Sequence, residues 1–126
     1  APSIRVFGAE PANAGDAAAS FRSGRIEPLP ATTTIADGLR TTLAPRTFAA
    51  IRHHVDGIGT CSEDAIVRAM RATWERMKIV IEPSSAVPLA CLVEAAFDLR
   101  GARVGVILSG GNVDLDRLPW QVKMTA

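Results

Sequence analysis

The apolar positions of this chain change their spacing several times, and each change predicts an element. Ile4, Val6 and Phe7 in SIRVFGAEP form a short apolar run before Gly8 and Pro11, which predicts a buried strand over Ile4–Phe7. DAAASFRSG, from Asp16, is alanine-rich, opens on a capping carboxylate and stops at Gly24, the pattern of a short helix. RIEPLPATTT, with its prolines and threonines, sustains neither helical nor strand period and reads as a loop leading into IADGL. From Thr47, the residues Phe48, Ile51 and Val55 recur at helical steps, and DGIGT then forms a turn with room for a short strand. Ile66, Met70, Trp74, Met77 and Ile81 follow in steps of four and three. They predict one long helix capped by Thr60 or Ser62, favoured by Glu63 and Asp64 at its positive end, and closed by Pro83. Ser84 or Ser85 can cap the next helix, whose stripe of Leu89, Leu92, Val93, Ala96 and Phe97 runs to Gly101. Last, Val104–Leu108 is strand-like and stops at Ser109-Gly110-Gly111-Asn112.

Apolar strands separated by helices predict an α/β fold with a parallel or mixed sheet covered by helices. Two or three strands make a poor sheet, since α/β sheets average about five or six, so the chain is expected to lean on strands it does not contain. Ligands in such folds bind beyond the carboxyl ends of the strands, where Glu10–Asp16 and Ser109–Asn112 both fall.

Composition narrows the picture. The 126 residues are 48% hydrophobic, enough for one packed domain over 1–126, and 14 basic against 13 acidic residues give a net charge of +1. No basic stripe for nucleic acid and no cluster for a membrane surface is present, and no apolar run approaches the roughly 20 residues that span a bilayer. With no secretory leader pattern, the expected location is the cytoplasm. Cys61 and Cys91 have no metal-ligand spacing and read as reduced, buried small hydrophobes. The chain begins on Ala1 and is expected to be a piece of a longer protein.

The candidate chemistry lies in the loops. At Ser109-Gly110-Gly111-Asn112 the glycines let a ligand or a neighbouring backbone approach, and the Ser109 hydroxyl can donate or accept a hydrogen bond, for instance with a heteroaromatic nitrogen; a glycine turn closing a strand is the alternative. Glu10 and Asp16, with the Ala14 carbonyl between them, can present oxygens to a hard cation, whereas Asp16 can equally be a helix cap. Glu82, beside Pro83, is either a surface carboxylate or a functional one whose pKa burial would raise. His53 and His54 are adjacent on a helix, point about a hundred degrees apart and receive no role. Lys78 is expected to lay its stem on the core with its ammonium in water or paired to Glu75 or Glu82.

Taken together, GAEPANAGDAAAS, TIADGL, TCSEDAIVRAM, WERMKIVIEPSSAVPLA and VGVILSGGNVDLD resemble, in order and spacing, the C-terminal part of the serine racemases and threonine/serine dehydratases, pyridoxal-phosphate enzymes of fold type II. The resemblance implies a three-layer α/β large domain with a mostly parallel sheet. It also implies that Ser109 hydrogen-bonds the pyridine nitrogen, that Gly38 lies against the cofactor ring with Asp37 and Thr41 nearby, that Glu82 stands near the far side of the ring, and that Gly110 belongs to the same wall. It further implies a divalent cation, magnesium, calcium or manganese, on Glu10, the Ala14 carbonyl and Asp16; Gly15 stands where an acidic residue is common and Thr41 where racemases commonly have serine. The Schiff-base lysine, substrate-carboxylate loop and phosphate loop of the family have no counterpart in this sequence, and neither Lys78 nor Lys123 stands in a matching context. The expected function is therefore that of the C-terminal segment of a dehydratase (ammonia-lyase) converting serine, threonine or 3-hydroxyaspartate to a keto acid and ammonia, completed by an N-terminal half and dimeric. Serine racemase is the alternative, and a stable non-catalytic fragment or interaction module is a further one.

Overall fold

The computed structural model describes residues 4–29 and 31–121. In chain order it contains strand β1 (Phe7–Pro11), helix α1 (Asp16–Ser23), helix α2 (Pro45–His54), strand β2 (Gly57–Cys61), helix α3 (Glu63–Ala72) and helix α4 (Pro83–Val93), with short 3-10 turns at Ala12–Ala14 and Asp37–Leu39. β1 and β2 pair in parallel, Phe7 opposite Gly57 and Pro11 opposite Cys61. The residues between these strands form the long crossover that parallel pairing requires.

Period-two alternation then assigns the two faces of the sheet. Ala9, Gly59 and Cys61 face α4 and the chain after it: a Cβ at Gly59 would stand 2.6 Å from the Phe97 ring, and Cys61 packs in the core with Cys91. Glu10 and Thr60 face α1, where Glu10 bonds the backbone and the Thr60 methyl lies against Gly15. Helices thus cover both faces of a parallel sheet, the expected three-layer order, on two strands. α3 and α4 pack through the buried alanines Ala65, Ala69, Ala86 and Ala90, small side chains that let the helix axes approach. Met70, Ile66 and Val87 belong to the same buried core, together with Cys61 of β2.

Four element boundaries differ from the sequence expectation. The first ladder runs over Phe7–Pro11 rather than Ile4–Phe7. Upstream of it, Val6 is tied to Asp56, by Val6 N–H to the carboxylate (2.7 Å) and Asp56 N–H to the Val6 carbonyl (2.8 Å), just before β2 begins. α3 does not reach Ile81: it loosens into a π turn at Thr73–Met77 and stops at Lys78, whose φ of 60° is left-handed. Ile81 still reaches the core, because the Trp74 indole N–H donates to its carbonyl (2.9 Å) and turns the chain back. α4 ends at Val93 rather than near Gly101, as Ala95 turns to positive φ. Val104–Leu108 makes no ladder with β1 or β2, and Ile107 is 80% exposed. A strand needs a neighbour, and none of the described residues offers one there.

Helix starts also differ in detail. Ser62 caps α3 by accepting the Ala65 N–H (3.2 Å), one of the two expected choices. Asp16 does not cap α1; it is that helix's first residue, after Gly15, and Gly24 ends the helix at φ 79°. No described helix is long and apolar enough to cross a membrane.

Candidate functional site

The first turn of α4 gathers the residues singled out in the sequence. Glu82 occupies the N-cap, but its side chain makes no cap hydrogen bond to its own helix. Its carboxylate instead accepts the Asn112 N–H (2.9 Å), and its backbone N–H donates to the Gly110 carbonyl (3.0 Å). The Ser84 hydroxyl accepts the Gly38 N–H (3.1 Å), and the Ser85 hydroxyl accepts the Ser109 N–H (2.7 Å). Gly38, Glu82, Ser109 and Gly110, far apart along the sequence, are thereby one cluster.

The glycines here are sterically required. A Cβ at Gly110 would lie 2.6 Å from the carboxyl carbon of Glu82, and one at Gly38 would lie 3.0 Å from Ser84 Oγ and 3.9 Å from Glu82 Oε1. A Cβ at Gly111 would come close to backbone, 3.1 Å from the Val80 carbonyl oxygen. Ser109 is exposed, and among the described residues its hydroxyl makes no hydrogen bond. The cluster therefore offers a flat, glycine-lined wall, a free neutral hydroxyl and a held carboxylate, a donor set that suits a planar heteroaromatic ring with a nitrogen at one edge. A cavity of about 350 Å³ opens beside it, lined by Asp37, Arg40, Pro83, Asn112, Asp114 and Arg117 among others. Thr41 follows Arg40 on the surface.

Glu10 and Asp16 form a second site at the carboxyl end of β1. Glu10 reaches over α1 and accepts the Ala17 (3.3 Å) and Ala18 (2.8 Å) N–H groups, so it caps that helix from a distance. Asp16 is 4% exposed, and its Oδ2 is buried without a hydrogen-bond partner. Burial raises the pKa of both carboxyls, and the Asp16 charge raises that of Glu10 further. Ala14 is fully buried between them. Two carboxylates brought together, one with an orphaned oxygen, fit a hard cation, although no cluster of three or more His, Cys, Asp or Glu side chains occurs among the described residues.

The remaining candidates fall outside both sites. The His53 and His54 rings meet edge-on at 4.5 Å and do not converge on a common point. Lys78 donates to the Glu75 carbonyl (2.6 Å) rather than to a carboxylate, and Lys123 lies outside the described residues. Cys61 and Cys91 are free and buried, away from both sites; Cys61 donates to the Glu10 and Val87 carbonyls (both 3.7 Å), and its contact with Cys91 together with burial pushes its pKa up, which disfavours its thiolate. Three contributors went unseen in the sequence. Ser84 and Ser85 read as helix caps, and Glu63 read as a dipole-favouring residue. Glu63 Oε2 in fact accepts the Ile35 N–H (2.9 Å) and ties the loop carrying Gly38 to α3, while its Oε1 is buried and unpartnered. Nothing local marks such long-range bonds.

Comparison with known proteins shows the family to which this fold belongs. The family model described as pyridoxal-phosphate dependent enzyme matches residues 1–110. The beta-hydroxyaspartate dehydratase of Paracoccus denitrificans (strain Pd 1222) is 49% identical over 120 residues, 95% of this chain and 38% of that protein. Among solved structures, maize serine racemase superposes with a TM-score of 0.86 at 43% identity, covering 95% of this chain and 38% of that one. Threonine deaminase from T.th. superposes with a TM-score of 0.79 at 45% identity, covering 90% and 42%. The chain spans about two fifths of the length of the proteins it matches. By sequence and by fold, it belongs to the family of pyridoxal-phosphate dependent enzymes.

Proposed function

We propose that this chain is the C-terminal part of a dehydratase that converts a small hydroxyamino acid, 3-hydroxyaspartate, serine or threonine, to a keto acid and ammonia. The observation that carries the reading is the convergence of Gly38, Glu82, Ser109 and Gly110 on the first turn of α4. When bound, pyridoxal phosphate supplies an electron sink for the substrate α-carbon. Gly110 and Gly38 let Glu82 and Ser84 pack against the turn, and the Ser109 hydroxyl would meet the ring nitrogen as a neutral partner, which makes the sink weaker than an acidic partner would and suits loss of a β-hydroxyl. The Glu82 carboxylate, fixed by Asn112, holds the Ser109–Asn112 turn in place. Glu10, the Ala14 carbonyl and Asp16 hold a magnesium, calcium or manganese ion that locks the end of β1 to α1; the orphaned Asp16 oxygen supports this. The Schiff-base lysine and the substrate-carboxylate loop come from the N-terminal half of the parent, which works as a cytoplasmic homodimer.

Serine racemisation is the second reading, favoured by the close superposition on maize serine racemase. The parent enzyme, loaded with cofactor and magnesium and supplied with each of the three substrates, distinguishes the two. Keto acid and ammonia released faster than the antipode accumulates is the expected result. Antipode without keto acid would replace dehydration by racemisation, and a colourless protein with no turnover would end the enzymatic reading.

A further inference from the structure

We infer that Ser85 is a positioning residue for Ser109, and that the first turn of α4 sets the orientation of the hydroxyl at the proposed ring-nitrogen position. Helix N-termini ordinarily use their polar side chains on their own unpaired N–H groups. α4 does not: Glu82, Ser84 and Ser85 spend their acceptors on Asn112, Gly38 and Ser109, three backbone N–H groups from two distant loops. Of the three bonds, the one from Ser109 is the shortest at 2.7 Å, and its acceptor is the most enclosed, Ser85 being 3% exposed. A hydrogen bond inside the protein competes with little water and holds direction well.

The bond lies on the backbone of the residue whose side chain does the work. Ser109 follows the apolar run Val104–Leu108 and precedes two glycines, the most permissive backbone. Between these, the Ser109 N–H is fixed by Ser85, and the Gly110 carbonyl by the Glu82 N–H at 3.0 Å. Loss of the Ser85 acceptor leaves the Ser109 N–H unpaired and lets the peptide before it rotate. Ser85 is buried, with its hydroxyl engaged by the Ser109 N–H, and acts through Ser109.

The inference rests on the Proposed function, and the test separates the two. In the full parent enzyme, Ser85→Ala, Ser85→Thr and Ser109→Ala are compared by steady-state kinetics, by the visible absorbance of the bound cofactor, and by deuterium exchange of the peptide spanning residues 104–112 in the cofactor-free form. For Ser85→Ala we expect Ser109 amide exchange to rise about tenfold, kcat to fall about three- to tenfold with KM little changed, and the absorbance band to move toward that of Ser109→Ala. Ser85→Thr, which keeps the hydroxyl, restores exchange and band. Unchanged exchange or an unmoved band in Ser85→Ala, with Ser109→Ala impaired, overturns the role of Ser85 and leaves the site intact. An unimpaired Ser109→Ala overturns both.

Discussion

Glu82 and Gly110 are bonded through backbone and packed through side chain at once: the Glu82 N–H donates to the Gly110 carbonyl at 3.0 Å while the Glu82 carboxylate occupies the space a Gly110 side chain would need. The strand-end turn and the helix N-terminus are therefore one unit. Gly110→Ala must push the carboxylate aside, 2.6 Å being far inside contact distance, and with it the bond to Asn112. The expected cost is about 1–2 kcal/mol of stability in the cofactor-free parent and a larger loss of cofactor affinity, read by denaturant melts and by fluorescence titration. An alanine variant that binds cofactor as tightly as the wild type would show that the turn does not bear on the ring.

The Glu10–Asp16 pair predicts a pH dependence. Burial raises both pKa values, so the folded chain binds more protons here than the unfolded chain, and the pair's contribution to stability falls as pH rises from about 4 toward 7. A divalent cation stabilises the charged carboxylates and reverses that trend. The rise in Tm on adding magnesium, calcium or manganese should therefore grow between about pH 4.5 and 7.5. Asp16→Asn should abolish the rise and, in chelator at neutral pH, melt higher than the wild type. Thermal melts of the parent with and without chelator test this; an equal cation effect in Asp16→Asn would rule out the site.

Ser62 joins two helices. Its hydroxyl accepts the Ala65 N–H and donates to Glu94 Oε1 at 2.6 Å, while its own N–H donates to Glu94 Oε2. Ser62→Ala should cost about 1 kcal/mol as a lost cap, with a further fraction from the Glu94 bond, and leave kcat unchanged. Chemical denaturation of the parent measures it, and a variant as stable as the wild type would contradict the pairing.

Gly59 carries a packing prediction. Its Cβ would meet the Phe97 ring at 2.6 Å and Ala96 Cβ at 3.0 Å, on the face of the sheet that α4 and its continuation cover. Gly59→Ala should destabilise by about 1–3 kcal/mol, and Phe97→Leu in the same chain should recover part of that. Additive losses in the double variant would show that the two residues do not share the space.

What the sequence disclosed and what it concealed divide along the range of the interactions. Gly24 ending α1, Ser62 capping α3 and the alternation of strands with helices rest on local backbone preference, and all are present. The end of α3 was hidden because Met77 and Ile81 continue the helical spacing, although the left-handed Lys78 interrupts the helix between them. Val104–Leu108 has strand composition but no neighbour among the described residues, so composition alone could not make it a strand. At the candidate sites, Glu10, Asp16, Glu82, Ser109 and Gly110 stood out by residue type and position, and Gly38 through the family resemblance. Their partners did not: Glu10 capping α1, and Ser84 and Ser85 serving distant loops, depend on contacts that only the folded chain creates.

The central claim is that the free hydroxyl of Ser109 meets the nitrogen of the cofactor ring. The crystal structure of the cofactor-loaded parent measures it directly, as the separation between Ser109 Oγ and that nitrogen. A separation of about 2.6–3.1 Å is the predicted result. A ring nitrogen bonded to any other group, with Ser109 out of hydrogen-bond reach, would contradict the account.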